Sequence, residues 1–279
     1  MPETIAQPYA LVTGACSGIG LEIARELARE GRALLLVSNR AVELAAAADE
    51  LSAEHPVAIQ TIVMDLARPE AARELHDEVL RRDVEVDVLV SNAGIFFFGE
   101  VVATDPGRAE TMMLLHVVTP SLLARYFGED MCARKSGHVV FVSSISAWRG
   151  FPGIAYYSSS KRFLRSFASA LREEFRVHGV GVTCVAPGAV ATGLYDGTGI
   201  PVPLAVKYRV MKDPSGVARA AVRGMARDRA VVIPGLSAKA MALGMTIMPK
   251  WMIRAVHRRA PLNRLADRTR EEAATPVSL

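Results

Sequence analysis

Short apolar runs rich in β-branched residues alternate with longer stretches of helical periodicity along most of the chain. The apolar runs predict seven strands, at residues 10–13, 33–37, 58–63, 86–90, 138–143, 180–185 and 231–233. The intervening stretches predict amphipathic helices at residues 19–30, 42–54, 69–81, 105–132 and 155–178. Because strands that alternate with crossover helices pair in parallel, the order predicts a doubly wound, three-layer α/β/α fold.

The pattern changes after the sixth predicted strand. Residues 193–212 mix glycine, proline and apolar residues, which favours a lid over a substrate site. Residues 236–279 form an apolar and basic extension, whose end is polar enough to fray. Since no internal repeat or linker interrupts the chain, residues 1–279 are expected to form a single domain.

Composition narrows the classes of function. The apolar fraction of 51% and the aromatic fraction of 6% fit buried strands packed against alanine-rich helices. The net charge is +4, but acids are interleaved with bases through most of the chain, so no nucleic-acid partner is expected. Six histidines without ligand spacing predict no metal site. Three scattered cysteines, with neither a signal sequence nor a membrane-length apolar run, favour a cytoplasmic protein.

The first predicted strand runs directly into a glycine-rich turn that opens a helix. Residues 13–20 read TGACSGIG. Glycines at such a turn let the backbone approach a pyrophosphate, which the free N–H groups and dipole of the helix N-terminus stabilise. An ordinary tight turn is the alternative, but the position between a strand and a helix favours dinucleotide binding.

A serine, a tyrosine and a lysine form the candidate catalytic group. Tyr157 and Lys161 are four residues apart in a predicted helix, so both project from one face. A nearby ammonium favours the phenolate, which suits a phenol with a pKa of about 10 to proton transfer near neutral pH. Ser144 follows the fifth strand, thirteen residues before Tyr157, and its hydroxyl can donate a hydrogen bond to a carbonyl oxygen. A tyrosine and a lysine at this spacing are, on their own, more often an ordinary surface pair.

Together these motifs resemble the short-chain dehydrogenase/reductase family over about residues 9–235. The glycine turn matches the family's TGxxxGxG pattern, and residues 91–94 read SNAG where the family usually has NNAG. The resemblance implies a Rossmann-type fold. It also implies an NAD(P)(H)-dependent oxidoreductase that interconverts a carbonyl and an alcohol, with Tyr157 as the proton-transferring residue.

The resemblance implies which residues contact the cofactor. They lie in the glycine turn, after the second, third, fourth and sixth strands, and in the catalytic group. These residues are Thr13, Gly14, Ser17, Gly18, Ile19, Gly20, Ser38, Asn39, Arg40, Asp65, Leu66, Asn92, Ala93, Gly94, Tyr157, Lys161, Pro187, Gly188, Val190 and Thr192. The family places an aspartate at the position of Asp65 against the adenine amino group. A plain helix cap is the alternative for Asp65.

The end of the second strand favours NADP(H) over NAD(H). An acidic residue there bonds the ribose hydroxyls of NAD and repels the 2′-phosphate of NADP. Residues 37–40 read VSNR, which contains no carboxylate, and Arg40 is near enough to pair with a phosphate. The family's usual arginine falls at the position of Asn39, so a solvated Arg40 at the start of the next helix remains the alternative.

His116 is the sharpest departure from the family, which has an asparagine at this position. The backbone carbonyl of that asparagine holds a water that links the lysine to solvent. A histidine can preserve this relay, or its imidazole can join the proton path because its pKa lies near neutrality. A histidine packed inside the helix is an equally weighted alternative, and damage to catalysis is the remaining one.

The loops beyond the strand ends predict a bulky apolar substrate, either steroid-like, acyl or aromatic. Phe96, Trp148, Phe151 and Tyr195 are the expected substrate contacts, while Phe97 is expected in the core. Arg149 is the polar exception. If its side chain faces the pocket, a carboxylate or phosphate-bearing substrate is favoured; if it faces solvent, a neutral ketone is favoured.

Three further expectations concern an alternative function, the oligomeric state and the surface of the C-terminal segment. A nucleotide-binding regulator that has the fold without the reaction is the alternative function. The resemblance implies a homodimer or homotetramer packed through the fourth and fifth predicted helices. Residues 236–259 combine methionines, Trp251 and several basic residues. They are expected to cover the substrate cleft or a subunit interface, and contact with an anionic membrane surface is the alternative.

Overall fold

Seven parallel strands form one sheet. The strands are β1 Tyr9–Thr13, β2 Ala33–Ser38, β3 Ile59–Val63, β4 Val86–Ser91, β5 Gly137–Val142, β6 Val180–Val185 and β7 Val231–Val232. The computed structural model describes residues 8–195 and 211–259. The strand order is β3-β2-β1-β4-β5-β6-β7, so the chain builds outward from β1 to β3 and then returns to pair β4 with β1. This reversal opens a crevice at the carboxyl ends of β1 and β4.

Helices cover both faces of the sheet. They are α1 Gly18–Arg29, α2 Ala41–Glu54, α3 Ala71–Arg81, α4 Pro106–Met113, α5 Thr119–Arg134, α6 Ala155–Arg176, α7 Pro214–Ala226, α8 Leu236–Ile247 and α9 Lys250–Arg259. The first apolar layer packs α3, α5 and α6 on one face, and the second packs α1, α2 and α7 on the other. Alternate strand residues serve the two layers, as Leu11 and Val12 do in β1. All six residues of β2 are buried, as in a strand covered on both faces, and the predicted doubly wound fold is confirmed.

The prediction of one continuous helix at residues 105–132 is wrong, because two α-helices and an intervening π-helical turn occupy this stretch. α4 ends at Met113, Leu114–Val118 form a π-helical turn, and α5 begins at Thr119. Pro120 supplies the physical reason. Since proline has no N–H, it cannot donate to the carbonyl of His116 four residues earlier, and the helix widens at this point.

The region after β6 contains a helix that the hydrophobic pattern did not predict. α7 begins at Pro214, and the Asp213 carboxylate caps it by accepting the N–H of Ser215. An aspartate followed by a proline is a helix-start signal that periodicity alone misses. Of the predicted lid, Gly193–Tyr195 form a short 3-10 turn, while residues 196–210 lie outside the described residues. No helix in the described ranges is long and apolar enough to cross a membrane.

Candidate active site

A cleft of about 580 Å³ opens at the carboxyl ends of the central strands. Its walls come from the turns that follow β1 to β6, together with residues of α1, α4, α6 and the π-helical turn. Open α/β sheets bind their ligands at this position, where the order of the strands reverses.

The glycine turn after β1 forms the floor of one end of the cleft. A Cβ on Gly20 would lie 2.3 Å from the carbonyl oxygen of Gly14, so any side chain there would displace the turn. Gly18 has a φ of +59°, in the left-handed region, and its added Cβ would lie 2.9 Å from a side-chain carbon of Thr192. Glycine at these positions therefore lets separate backbone segments meet beneath the cleft.

The N-terminus of α1 faces this end of the cleft. Ser17 is the residue before the helix, and no side-chain hydrogen bond caps the first turn. Ser17, Gly18 and Ile19 all line the cleft. Uncapped N–H groups at a helix start bind anions, so the residues present fit the pyrophosphate of a dinucleotide.

Hydrogen bonds join the ends of β1 and β4. The Thr13 hydroxyl accepts the N–H groups of Asn92 and Ala93 at 3.0 and 3.1 Å. The Asn92 amide in turn donates to the Thr13 and Gly14 carbonyls at 2.9 and 3.2 Å. Thr13 and Gly20 do not themselves line the cleft, because they hold the turn from below.

Polar groups that follow β2 and β3 also line the end of the cleft that contains the glycine turn. Ser38, Asn39, Arg40 and Asp65 line the cleft. Arg40 forms an ion pair with Glu43 on the first turn of α2, and both side chains are exposed. The Asp65 carboxylate accepts the N–H of Ala67 at 2.9 Å, so it caps a local turn rather than α3.

Two adjacent serines after β5 have different hydrogen bonds. The Ser143 hydroxyl is buried and donates to the carbonyl of Lys161 at 2.7 Å, which ties β5 to α6. The Ser144 oxygen accepts the N–H of Ser146 at 3.2 Å, which leaves the Ser144 hydrogen available to a ligand. Both residues line the cleft, but only Ser144 is arranged to donate into it.

Tyr157 and Lys161 lie on the first turns of α6 and both line the cleft. The Lys161 Nζ lies 5.8 Å from the centre of the Tyr157 ring and donates to the Val142 carbonyl at 3.1 Å. Lys161 is only 4% exposed, and this burial lowers its pKa to about 8. An amine with such a pKa can both carry a proton and release it near neutral pH.

His116 is buried beside this group and has both ring nitrogens occupied. The Ile95 N–H donates to Nε2 at 3.0 Å, so the proton of the neutral ring is on Nδ1, which lies 3.0 Å from the Ser160 hydroxyl. Burial, reinforced by the charge of Lys161, lowers the pKa of His116 well below 6.5. The neutral imidazole therefore links the turn after β4 to the helix that carries Tyr157 and Lys161.

Aromatic side chains form the other end of the cleft. The Phe96 ring meets the Tyr157 ring edge-on at 4.8 Å between centroids. Phe97 is 4% exposed, as expected of a core residue, and also contributes to the cleft wall. The Arg108 guanidinium on α4 lies 4.7 Å from the centre of the Phe97 ring, so it covers an apolar side chain at this end.

Two expected substrate contacts lie outside the lining of the cleft. Trp148 packs against the buried face of α8, and the guanidinium of Arg165 lies 3.9 Å from its ring centre. Phe151 is also absent from the lining, and its N–H lies 3.4 Å from the Ser158 hydroxyl. Arg149 is half-buried and does not line the cleft either. The side chain of Tyr195 lies outside the described residues.

The cleft brings together most of the residues singled out from the sequence. These lining residues are Gly14, Ser17, Gly18, Ile19, Ser38, Asn39, Arg40, Asp65, Leu66, Asn92, Ala93, Gly94, Phe96, His116, Ser144, Tyr157, Lys161, Pro187, Gly188, Val190 and Thr192. Sequence reasoning did not name six other lining residues as site contacts, namely Cys16, Met64, Ile95, Arg108, Leu115 and Val142. Cys16, Met64 and Ile95 directly adjoin residues that the sequence motifs singled out. Arg108 reaches the cleft from α4, and Leu115 reaches it from the π-helical turn.

Comparison with known proteins identifies the family. The model of the short chain dehydrogenase family matches residues 8–199, which is more than half of the chain. The chain belongs to the short-chain dehydrogenase family. This membership confirms the sequence-based prediction of an NAD(P)-dependent oxidoreductase of that family.

The chain is similar in sequence to curated dehydrogenases and in fold to solved dehydrogenase structures. Dehydrogenase/reductase SDR family member 7B of Bos taurus is 33% identical over 199 residues, which are 70% of this chain and only 61% of that relative. The short-chain dehydrogenase from Sphingobium yanoikuyae, solved in complex with NADPH, has a TM-score of 0.76 at 29% identity, covering 85% of this chain and 91% of that one. The bulky-bulky ketone specific alcohol dehydrogenase from Comamonas testosteroni has a TM-score of 0.71 at 26% identity, covering 87% and 95%.

Proposed function

We propose that this short-chain dehydrogenase interconverts a ketone or aldehyde and an alcohol on an apolar substrate, with Tyr157 transferring the proton. The observation that carries the proposal is that Ser144, Tyr157 and Lys161 line the same cleft as the glycine turn. When bound there, the nicotinamide cofactor supplies the hydride in reduction and accepts it in oxidation.

In reduction, the three side chains handle the charge and the proton on the substrate oxygen. Ser144 donates a hydrogen bond to the carbonyl oxygen as negative charge develops on it. Tyr157 delivers the proton to that oxygen. Lys161 stabilises the phenolate that remains and, with a pKa of about 8, helps to return a proton to it. Oxidation uses the same groups in the reverse order.

His116 acts as a positioning residue in this proposal. Its neutral ring has no lone pair or proton left for a relay, since Nε2 accepts from Ile95 and Nδ1 bonds Ser160. The main chain can still serve the water relay that the family resemblance implies. Pro120 leaves the His116 carbonyl without its α-helical donor, which supports a role for that oxygen as the water acceptor.

NADP(H) is the preferred cofactor in this proposal. The turn after β2 offers no carboxylate to repel a 2′-phosphate, and Arg40 lines the cleft. The pair between Arg40 and Glu43 is exposed, and such pairs are worth only about 0–1 kcal/mol, so a phosphate can compete for the guanidinium. Val190 and Thr192 line the cleft, which supports the contacts to the nicotinamide carboxamide that we propose for them.

The substrate is proposed to be a bulky, neutral ketone, steroid-like or aromatic. Ile95, Phe96, Phe97, Leu115 and Leu194 contribute an apolar wall. Arg149 does not line the cleft, and the guanidinium of Arg108, which does, lies over the Phe97 ring at 4.7 Å from its centre; this arrangement supports the neutral substrate over an acyl thioester. The described preference of the Comamonas testosteroni neighbour for bulky-bulky ketones supports a substrate of this size.

The protein is proposed to act as a cytoplasmic homodimer or homotetramer. Met113, Val118 and Phe163 expose apolar side chains on or beside α4, α5 and α6, the helices expected to pack between subunits. Cys16, Cys132 and Cys184 are all free, which fits a reducing compartment.

An activity screen tests the substrate and the cofactor together. Initial rates are measured with NADPH and NADH against bulky steroid and aromatic ketones and against short polar carbonyls. The expected result is a higher kcat/KM for the bulky set and a higher kcat/KM with NADPH. A clear preference for the short polar set would overturn the substrate class. Tight NADPH binding without turnover of any carbonyl would instead favour the regulatory alternative.

A further inference from the structure

α8 is apolar on nearly all sides but buried on only one. Ala238 and Ala242 pack against the turn that follows Ser144, beside Ile145 and Trp148. On the opposite side, Leu236, Leu243 and Ile247 are 82%, 67% and 76% exposed. These three residues fall on one line along the helix, since they are separated by seven and four positions. A helix that is apolar all round is normally covered all round.

The next helix also exposes large apolar side chains. Trp251 and Met252 on α9 are 67% and 37% exposed, and Met241 on α8 is 50% exposed. We refer to this surface as the C-terminal apolar face, made by Leu236, Met241, Leu243, Ile247, Trp251 and Met252. None of these residues lines the cleft, so the face is not a wall of the active site.

The charge of this segment differs from that of the rest of the chain. Residues 229–266 contain seven lysines and arginines and no aspartate or glutamate. Since the whole chain has a net charge of +4, the remaining residues carry a net charge of −3. The positive charge of the protein is therefore concentrated in the segment that also exposes the apolar side chains.

We propose that the C-terminal apolar face docks onto the surface of an anionic lipid bilayer. Apolar side chains beside lysine and arginine, with no acid among them, are the composition of helices that lie in a membrane interface. An exposed tryptophan in such a segment, like Trp251, sits at the level of the lipid headgroups when the segment docks. The apolar side chains enter the interface while Lys239 and Arg254 remain near the headgroups.

Charge favours this occupant over a second copy of the chain. In a two-fold symmetric contact the same surface meets itself, so basic residues would face basic residues without an acid to pair with them. An anionic lipid surface supplies the opposite charge.

Docking through this face would bring the cleft close to the bilayer. The buried side of α8 rests on the turn Ile145–Trp148, which directly follows Ser144 in the cleft. An apolar carbonyl dissolved in the membrane would then reach the active site with little passage through water. This last point rests on the proposed function, whereas docking itself does not.

Vesicle co-sedimentation of the full chain tests the docking, with phosphatidylcholine vesicles compared with vesicles that also contain phosphatidylserine. The protein is expected to sediment with the anionic vesicles only and to be released by high salt. Leu243→Glu is expected to lower binding about tenfold. Lys239→Gln with Arg254→Gln is expected to lower it about fivefold for each charge removed.

A matched variant distinguishes a specific role of the C-terminal apolar face from the general effect of adding a negative charge to the protein surface. Leu80→Glu replaces an exposed leucine on α3 and is expected to leave binding unchanged. On binding, the fluorescence of the wild type is expected to shift to the blue, and Trp251→Phe removes this shift. Far-ultraviolet circular dichroism, measured without vesicles, verifies that every variant is folded.

Four results would overturn the proposal. They are sedimentation with neither kind of vesicle, equal binding to both kinds, unchanged binding by Leu243→Glu, and equal loss in Leu80→Glu. Self-association that Leu243→Glu abolishes would show instead that a second copy covers the face. None of these measurements depends on turnover. A negative result for membrane docking is therefore distinguishable from failure of the proposed oxidoreductase activity.

Discussion

The two ends of the cleft are built from different parts of the chain. At the nucleotide end, the main chain and small residues at the ends of β1 and β4 meet directly, as at Gly20 and Thr13. At the substrate end, large side chains converge from separate elements, with Phe96 after β4, Arg108 on α4 and Leu194 after β6. At the nucleotide end, an added side chain would displace the backbone. At the substrate end, a single substitution can change the shape of the cleft wall without moving the backbone.

Because the two ends are built differently, substitutions at each end should have different consequences. The proposed catalytic group lies at the junction of the two ends, on the turn after β5 and the first turns of α6. Variants at the junction, at the nucleotide end and at the substrate end should therefore fail in three distinguishable ways.

The largest effect is expected at the junction. Ser144→Ala removes the donor to the developing oxyanion and should lower kcat by about 10²–10³ with little change in NADPH affinity. Ser143→Ala is the matched control, since its hydroxyl bonds the Lys161 carbonyl, and should instead lower the free energy of unfolding by about 1 kcal/mol. Steady-state kinetics and denaturant titration measure both. If the two variants lost kcat equally, the assignment of Ser144 as the donor would be wrong.

At the nucleotide end, Gly20→Ala should weaken NADPH binding by about ten- to a hundredfold. The added Cβ would lie 2.3 Å from the Gly14 carbonyl oxygen, so the turn must move. Gly244→Ala serves as the control, because a Cβ there meets nothing within 4 Å. Fluorescence titration with NADPH gives both dissociation constants. An unchanged constant for Gly20→Ala would show that the turn is not closely packed against its ligand.

At the substrate end, Phe96→Ala should raise the KM for bulky ketones about tenfold and leave NADPH affinity unchanged. Phe98→Ala is the comparison, since this ring packs edge-on against Phe96 at 4.9 Å without lining the cleft. Kinetics with one bulky and one short carbonyl provide the measurement. Equal changes for the two variants, or for the two substrates, would contradict a substrate wall at Phe96.

The smallest effect concerns His116 and pH. Its folded-state pKa lies well below the value of 6.5 expected when unfolded, so below pH 6.5 only the unfolded chain takes up this proton. Stability should therefore fall as pH decreases through 6.5, and the contribution of this residue should approach about 1.4 kcal/mol per pH unit once the pH is well below 6.5. His116→Asn removes that contribution, while His138, whose burial lowers its pKa to about 4, acts equally in both proteins. Parallel stability curves for the two proteins between pH 6.5 and 5.5 would contradict a buried neutral His116.

The same contrast between the two ends explains what the sequence could predict. Gly18, Asn92 and the spacing of Ser144, Tyr157 and Lys161 belong to local patterns, so their meeting in one cleft follows from the strand order. The positions of Arg108 and Trp148 depend on how α4 and α8 pack, and no local pattern encodes that. The break at Pro120 was readable in principle, because proline cannot donate inside a helix. The lid at 193–212 remains a prediction, since most of it lies outside the described residues.

The most direct test of the account is the turnover of Tyr157→Phe together with its NADPH affinity. The phenol hydroxyl is the proposed proton donor, and the variant keeps the ring that packs against Phe96. We predict that kcat for carbonyl reduction falls by about 10³ or more, while the dissociation constant for NADPH changes little. Retention of full turnover would contradict the central claim that Tyr157 transfers the proton.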